Sequence, residues 1–432
     1  MVLLTRKFRI HPTQSQEELL WNLSETCRLL YNQALAERRY LYEMYQYSVS
    51  YKDQQNALPQ LKQHDPSYKS VYSKVLQMTL KKLDGAFQAF FGLQRNGDST
   101  VRLPTFRGKQ YFFTLCYNQS GFKLTDQTLQ FSHKHPSNTE LLFAVPFDFT
   151  RFQVKQIELF LDRYDNHFHL TVTYDQPVPP FVDNGRYQAF DLGTMKHTAV
   201  NLQGKFLESI VKRHDKYWEP QIQSLQRRKD HCKNGSRRYR LFSQRLVTIR
   251  RKSANQTKDW QHKQSIHLLQ NTKANTIIVG DLSPKQMVQK GRKNGKMGRY
   301  QKSINRGVHN TGHLGRFVEL LTYKAQLLGK RVITIDERNT SKTCAVCGHQ
   351  KKSMPLFERV YHCEVCGIVR DRDQNSAINI MMRFLSQHAL WMGYQSFLKR
   401  IDNLRYTVNG KTKVSLHLVG EGFTELVGSH LL

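Results

Sequence analysis

The sequence predicts a multidomain α+β protein, and three observations carry that prediction. Apolar residues recur at helical spacing near the N-terminus, alternate with period two through the middle of the chain, and then follow a strand, helix, strand order. At 432 residues the chain has room for about three domains at roughly 150 residues each. With 39% hydrophobic residues, 24 Phe and 20 Tyr it can build real cores, which excludes a disordered basic tail, a collagen, a mucin or a linker. No stretch approaches the about 18 consecutive apolar residues of a membrane span. Arg6, Lys7 and Arg9 interrupt the opening MVLLTRKFRIHP before a signal-peptide core forms, so a cytosolic protein without membrane partners is expected.

The elements follow in order. Val2 to Ile10 reads as a strand, and Thr13 with Gln16 three residues on is a capping box that starts a helix. That helix carries Leu19, Leu23, Cys27, Leu30 and Ala34 on one face, and a second runs from about Val71 to Leu93 with Leu76, Leu80, Leu83, Phe87 and Phe90. From Leu103 come short aromatic runs, YFFTL, LTDQTLQF and LLFAVPF. Ile157, Leu159 and Leu161, then Phe168, Leu170, Val172 and Tyr174 across Asp165-Asn166, predict a hairpin in an antiparallel sheet or small barrel. Pro177, Pro179 and Pro180 remove backbone donors and place a boundary near residues 176 to 186. Beyond it, Tyr187 to Phe190 leads into Asp191-Leu-Gly193, and strands continue through His197 to Asn201 and Lys205-Phe206. Residues 215 to 270 read as a basic helical hairpin with Asn234-Gly235 at its tip. Thr276 to Val279 is a buried strand ending in Gly280-Asp281-Leu282. A glycine-rich basic loop, residues 289 to 312, precedes a helix with Leu314, Phe317, Leu320, Leu321 and Leu328 that Gly329 ends, and Arg331 to Ile335 is a further strand. A strand, helix, strand connection needs a crossover, so these two strands are expected to be parallel neighbours.

The net charge is +32, from 66 Lys and Arg against 34 Asp and Glu. Residues 211 to 310 alone hold 25 basic and 5 acidic residues, a net of +20. A block this concentrated repels itself unless a polyanion is near, and release of counterions from nucleic acid is the usual gain that offsets the repulsion. Within it Arg237 and Arg238 beside the hairpin tip, and Arg292 and Lys293 in the loop, are candidate phosphate contacts. The competing reading is a solvated face on a merely basic protein.

Cys344, Cys347, Cys363 and Cys366 have the spacing C-x2-C-x15-C-x2-C, two knuckles that present four thiolates tetrahedrally to one zinc ion. A closed site of this kind folds a small loop and does no chemistry. Two further positions look like metal-holding carboxylates. Asp191 ends the first strand after the boundary, and Asp373 stands in Asp371-Arg-Asp373-Gln-Asn375-Ser-Ala377. An RNase H-like nuclease needs acids that converge from strand ends and a following helix, because two magnesium ions must sit about 3.5 to 4 Å apart. Magnesium prefers oxygen ligands. Alone, an Asp-x-Gly such as that at Asp191 is more often a turn or helix cap, and Asp371 with Asp373 can be a helix N-terminal cap.

Together, Asp191, the cysteine ribbon, Thr340-Ser-Lys-Thr-Cys344 before it and Asp373-Gln-Asn375-Ser-Ala377-Ile-Asn379 after it strongly resemble the TnpB family. These are RNA-guided DNA endonucleases of insertion sequences, relatives of the type V CRISPR effectors. LTRKFRIHPT, Tyr31-Asn-Gln-Ala-Leu-Ala-Glu37 and Leu76-Gln-Met-Thr-Leu-Lys-Lys-Leu-Asp-Gly-Ala-Phe87 resemble the family's N-terminal region, so the resemblance covers roughly residues 1 to 383. It implies an N-terminal wedge β-barrel over 1–185 with a helical recognition lobe inserted at about 14–95. It further implies an RNase H-like (RuvC) α/β nuclease domain over 186–383 with a zinc ribbon at about 341–370. Partners would be a guide RNA and target double-stranded DNA, cofactors structural zinc and catalytic magnesium, and the location a prokaryotic cytosol, at the nucleoid when bound to DNA. Arg102, Arg107 and Lys109, interleaved with Phe106, Tyr111, Phe112 and Phe113, are candidates to hold phosphate and stack on bases, or else a barrel rim with core aromatics.

The chain departs from the family in two places. Gly280 stands where the pattern expects a catalytic Glu, and residues 384–432 form an extension of unassigned role with a hairpin signal at Asn409-Gly410. Glu337, directly after the strand beside the one ending at Gly280, is the candidate replacement, which makes the expected magnesium site Asp191, Glu337 and Asp373. The alternative is a nuclease-dead RNA-guided repressor in which Glu337 is an ordinary loop acid. A zinc-ribbon RNA-binding protein of the translation apparatus explains neither Asp191 nor Asp373.

Overall fold

The computed structural model describes residues 1–132, 139–281, 314–355, 358–388 and 395–397. They divide into two compact units, Met1–Pro177 and Val178–Leu432.

The first unit opens with β1 (Val2–Arg9), followed by α1 (Gln14–Tyr45), α2 (Tyr51–His64), a short 3-10 turn over Pro66–Ser70 and α3 (Ser73–Arg95). Thr13 and Gln16 form the expected capping box at the start of α1. The strands are β2 (Leu115–Asn118), β3 (Phe122–Thr125), β4 (Thr128–Phe131), β5 (Leu142–Ala144), β6 (Gln153–Asp162) and β7 (His167–Gln176). One sheet has the order β1-β7-β6-β2 and a smaller one β3-β4-β5. β1 pairs antiparallel with β7 along its whole length, from Val2 opposite Gln176 to Arg9 opposite His169, so the helices are an excursion between two strands of one sheet. The apolar faces of α1 (Leu20, Leu23, Cys27, Leu30) and α3 (Leu76, Leu80, Leu83) join Leu115, Tyr117, Ile157 and Leu170 in a common core. Sequence reading predicts two helices here and misses α2. Its only buried residues are Gln54 and Leu58 and it contains Pro59, so no apolar stripe marks it; its signal is the Ser50–Asp53 capping box.

The second unit contains β8 (Tyr187–Leu192), β9 (Lys196–Asn201), β10 (Phe206–Ile210), α4 (His214–Asp230), α5 (Arg237–Gln270), β11 (Thr276–Gly280), α6 (Leu314–Leu327), β12 (Arg331–Ile335), β13 (Val360–His362), β14 (Val369–Asp371) and α7 (Arg372–Gln387). Gly235, at φ +79°, turns the chain between α4 and α5. The five-stranded sheet has the order β10-β9-β8-β11-β12. β9 is antiparallel to both β8 and β10, whereas β8–β11 and β11–β12 are parallel, as the strand, helix, strand order requires.

Side-chain alternation divides this sheet between two helical layers. Ala189, Ile278 and Ile335 face α7 through Ala377, Ile378, Met381 and Phe384. Phe190, Ile277 and Val279 face the end of α5 and α6 through Leu268, Leu269, Phe317 and Leu321. With period two, Asp191 and Gly280 fall on the α7 face.

Candidate metal centre

Val279 is opposite Phe190 and Gly280 opposite Ile335, so Asp191, Gly280 and Ile335 sit side by side at the carboxyl ends of three adjacent parallel strands. Glu337 follows Ile335 by two residues, which keeps it on the same face. Its carbonyl accepts from the Thr340 amide at 3.1 Å and the Thr340 hydroxyl at 2.9 Å, which fixes the turn after β12. From there its side chain folds back across the sheet. A Cβ built on Gly280 would fall on Glu337 Oε2 and within 2.8 Å of Glu337 Cβ and Cδ. Gly280 has no side chain because a carboxylate from the neighbouring strand fills that space.

Asp373 enters from α7. Asp371 is the N-cap of that helix, accepting from the amides of Asp373 (2.8 Å) and Gln374 (3.2 Å), which leaves the buried Asp373 carboxylate free of the capping role. Asp371 is also held by Lys196 of β9, whose Nζ lies 3.0 Å from Asp371 Oδ2, 2.9 Å from Glu208 Oε1 and 3.9 Å from Asp373 Oδ2. Arg359, just before β13, reaches Asp373 Oδ2 at 2.6 Å.

The electrostatics fit an oxygen-lined cation site. Burial, reinforced by the charges of Asp373 and Glu337, pushes Asp191 up to about 7, while a hydrogen bond with Ser376 opposes the shift. Glu337 is likewise pushed up to about 7, by burial and then by Asp281 and Asp336. Burial raises Asp373 too, against the pull of Arg359. Asp191 feels the charges of both other carboxylates, a repulsion that a hard divalent ion relieves, and the oxygen chemistry of the three acids fits magnesium.

The cysteines form the second cluster. Their four sulfurs lie within 4.8 Å of one another, with Cys344–Cys366 at 3.6 Å and Cys347–Cys363 at 3.5 Å. Those separations are far above a disulfide bond and near the edge, about 3.8 Å, of a tetrahedron built on 2.3 Å metal–sulfur bonds, so the set fits zinc. β13 and β14 pair antiparallel beneath it. Asn375 and Asn379 of α7 bind the approach to the first knuckle, each donating to Thr343 O at 2.7 Å, while Asn375 Oδ1 accepts from the Ala345 amide. Asp162, Asp165 and His169 at the β6–β7 turn also bring ligand-type atoms together. There Lys7 lies 3.3 Å from Asp162, and His169 hydrogen-bonds to Asp165.

Of the candidate nucleic-acid contacts, Arg102 and Lys109 are exposed, as are Arg237 and Arg238 in the first turn of α5. Two cations at a helix N-terminus work against the helix dipole, a cost that an external anion offsets. Arg107 is half-buried over the rings of Tyr31 and Tyr111, at 5.3 and 5.0 Å. Phe112 and Phe113 are not stacking residues: they are buried against Trp21 and Tyr31 of α1, and Phe106 is the exposed aromatic of the set. Arg292 and Lys293, the whole 289–312 loop that carries them and the Asn409-Gly410 hairpin signal lie outside the described residues. Sequence reading did not single out Lys196, Glu208 or Arg359, whose roles arise only when distant segments meet.

A mixed sheet with carboxylates at its parallel strand ends, and a four-cysteine ribbon between its last strand and its last helix, belongs to a recognisable class. The fold matches that of Cas12-type effectors with mixed α and β content. A Cas12f1 solved with guide RNA and target DNA superposes with a TM-score of 0.54 at 14% identity, over 85% of this chain and 83% of that one. The mini-RNA-guided endonuclease CRISPR-Cas phi3 gives 0.53 at 9% identity, over 88% and 92%. The Cas12f1-like TNB domain model matches residues 315–380, and a helix-turn-helix domain model (OrfB, IS605) matches residues 1–46, which fold here as β1 and the single long helix α1. A Streptomyces pristinaespiralis protein named "Putative RNA-guided DNA endonuclease" is 24% identical over 89% of this chain and 90% of its own length. A TnpB-like protein of Acanthamoeba polyphaga mimivirus is 32% identical over 34% of this chain and 26% of its own length. Both matching models and both relatives make the chain similar to TnpB-like proteins and RNA-guided DNA endonucleases.

Proposed function

We propose that this protein is an RNA-guided DNA endonuclease of a transposable element, hydrolysing phosphodiester bonds in a RuvC-like centre formed by Asp191, Glu337 and Asp373. The observation that carries the proposal is the fit of the Glu337 side chain into the space above Gly280. The names of the matching relatives point to endonucleases and lend the repressor alternative no support. Residues 1–185 serve as wedge β-barrel and recognition lobe and 186–383 as nuclease domain, with the ribbon at 341–370 stabilised by zinc on Cys344, Cys347, Cys363 and Cys366. Guide RNA and target double-stranded DNA are the partners, with Arg102, Lys109, Arg237 and Arg238 as phosphate contacts. No helix among the described residues is long and apolar enough to cross a membrane, in keeping with work on DNA in the cytosol.

The three carboxylates would hold magnesium, which when bound supplies Lewis-acid stabilisation of the attacking and leaving oxygens. The chain's own residues do the positioning. β8 delivers Asp191 at its end, the Thr340 donors aim Glu337 across Gly280, and the Asp371 cap orients the first turn of α7 so that Asp373 faces the sheet. Lys196 binds that cap to β9 and so fixes the helix against the sheet. The test is magnesium-dependent cleavage of guide-matched DNA by wild type and Glu337→Gln. A loss on the order of 10²-fold or more is expected, several kcal/mol of transition-state stabilisation. A variant that cuts as fast as wild type removes Glu337 from the centre, and a wild type that binds target without ever cutting restores the repressor.

A further inference from the structure

Besides Arg372, which acts on it from beyond ion-pair distance, Asp373 has two cationic ion-pair partners of opposite character. Lys196 is largely buried and committed to Glu208 and Asp371, standing back from Asp373 at 3.9 Å. Arg359 makes a 2.6 Å charge-assisted contact with Asp373 Oδ2 although its side chain is 47% exposed. Its main chain is tied separately, because the Arg359 carbonyl accepts from the Arg372 amide at 2.8 Å. The guanidinium can therefore swing off Asp373 while the ribbon backbone stays on the base of α7.

We propose that Arg359 is a tethered counter-ion that competes with the divalent metal for Asp373, so that the cysteine ribbon sets the metal affinity of the centre. This rests on the assignment of Asp191, Glu337 and Asp373 as a metal centre. A carboxylate oxygen engaged by a guanidinium at 2.6 Å has to surrender that bond, or share it, when it ligates a cation. Apparent metal affinity is then reduced by the fraction of time Arg359 is docked. Linkage is reciprocal: the metal drives Arg359 off Asp373 by the same factor, and frees a bidentate phosphate binder at the rim of the site. Lys196 does not play this part, because two other carboxylates already satisfy it. An ion pair half open to water is worth a small factor, so removing Arg359 should tighten metal binding by roughly two- to fivefold.

The experiment is a manganese titration of the full chain, with free Mn²⁺ read from its electron paramagnetic resonance signal, a measurement independent of cleavage. Manganese shares magnesium's preference for oxygen ligands. Wild type, R359Q, R359K and D373N are compared, with zinc content and thermal midpoint recorded as folding checks. R359Q should bind Mn²⁺ two- to fivefold more tightly than wild type, R359K should fall between the two, and D373N should lose the site. R359Q binding no more tightly than wild type overturns the competition and leaves Arg359 a brace between ribbon and helix. If R359Q loses zinc or folds poorly, R359K decides: affinity equal to or below wild type overturns the proposal. Equal binding by wild type and D373N refutes the metal centre itself, a different failure from that of Arg359.

Discussion

Replacing Gly280 by alanine tests the centre with a single methyl group. The new Cβ would fall on Glu337 Oε2 and stand 2.8 Å from Glu337 Cβ and Cδ, where carbon contacts normally settle at about 3.5–4.0 Å. Glu337 must therefore retreat by about 1 Å. It cannot do so by rotating its far end alone, since its Cβ is one of the atoms struck and its carbonyl is pinned by both donors of Thr340. A displacement of that size costs on the order of 10²-fold in rate, and the overpacking about 1–3 kcal/mol in stability. Single-turnover cleavage of guide-matched DNA and denaturant unfolding read the two effects. Gly280→Ala combined with Glu337→Gly should recover the stability without the rate, and Gly280→Glu combined with Glu337→Gly should recover part of the rate by returning the acid to β11. If Gly280→Ala cuts and unfolds like wild type, Glu337 does not occupy the space above Gly280 and the derivation of the centre fails.

Three further outcomes are expected. Glu337 has its folded pKa raised from 4.5 to about 7, so ionising it costs the fold nothing below about pH 4.5, and the cost grows between pH 4.5 and 7 and stays constant above. Glu337→Gln should therefore stabilise the protein in EDTA at pH 8, by at most about 3 kcal/mol at 1.36 kcal/mol per unit, with the gain gone at pH 4.5; urea unfolding at both pH values showing the reverse dependence sinks this. Cys347→Ser, or stripping with a strong chelator, should remove one zinc per chain and open the ribbon to proteolysis, because the metal supplies its folding energy; purified protein devoid of zinc by elemental analysis contradicts the site. Neutralising Arg237 and Arg238 together should lower the slope of log affinity for guide RNA against log salt by up to about 1.4, at roughly 0.7 per phosphate contact on a single strand; an unchanged slope clears both of contact.

What the sequence discloses is what local spacing and chain order determine. β11 and β12 are legible as parallel neighbours because a helix separates them, and the cysteine cluster because two knuckles carry their own geometry. The position of Glu337 follows from chain order, two residues past the end of β12. α2 is hidden because two buried residues and an internal proline leave no periodic signal. Phe112 and Phe113 read equally as stacking or core aromatics, and the choice depends on Trp21 and Tyr31, some 80 to 90 residues away. Lys196 is just a basic residue on a strand until the fold brings Asp371 to it across 175 positions.

A glutamate can move from β11 to the end of β12 because of how a parallel sheet presents its strand ends. Neighbouring strands run about 4.8 Å apart, and the chain leaves β12 at Ile335 and turns, so Glu337 Cβ itself comes within 2.8 Å of where a Cβ on Gly280 would stand. The side chain then needs to reach only across the glycine. The move needs two conditions: the same face, which the two-residue step from Ile335 preserves, and an empty position at the original site, which glycine provides. Any larger residue at position 280 would meet Glu337, so glycine there and an acid at position 337 form one steric unit. Asp281 does not substitute, since one step along the strand turns its side chain away from α7, and its charge instead raises the pKa of Glu337. The proposed centre thus keeps three carboxylates at one end of the sheet, with the third supplied from one strand over.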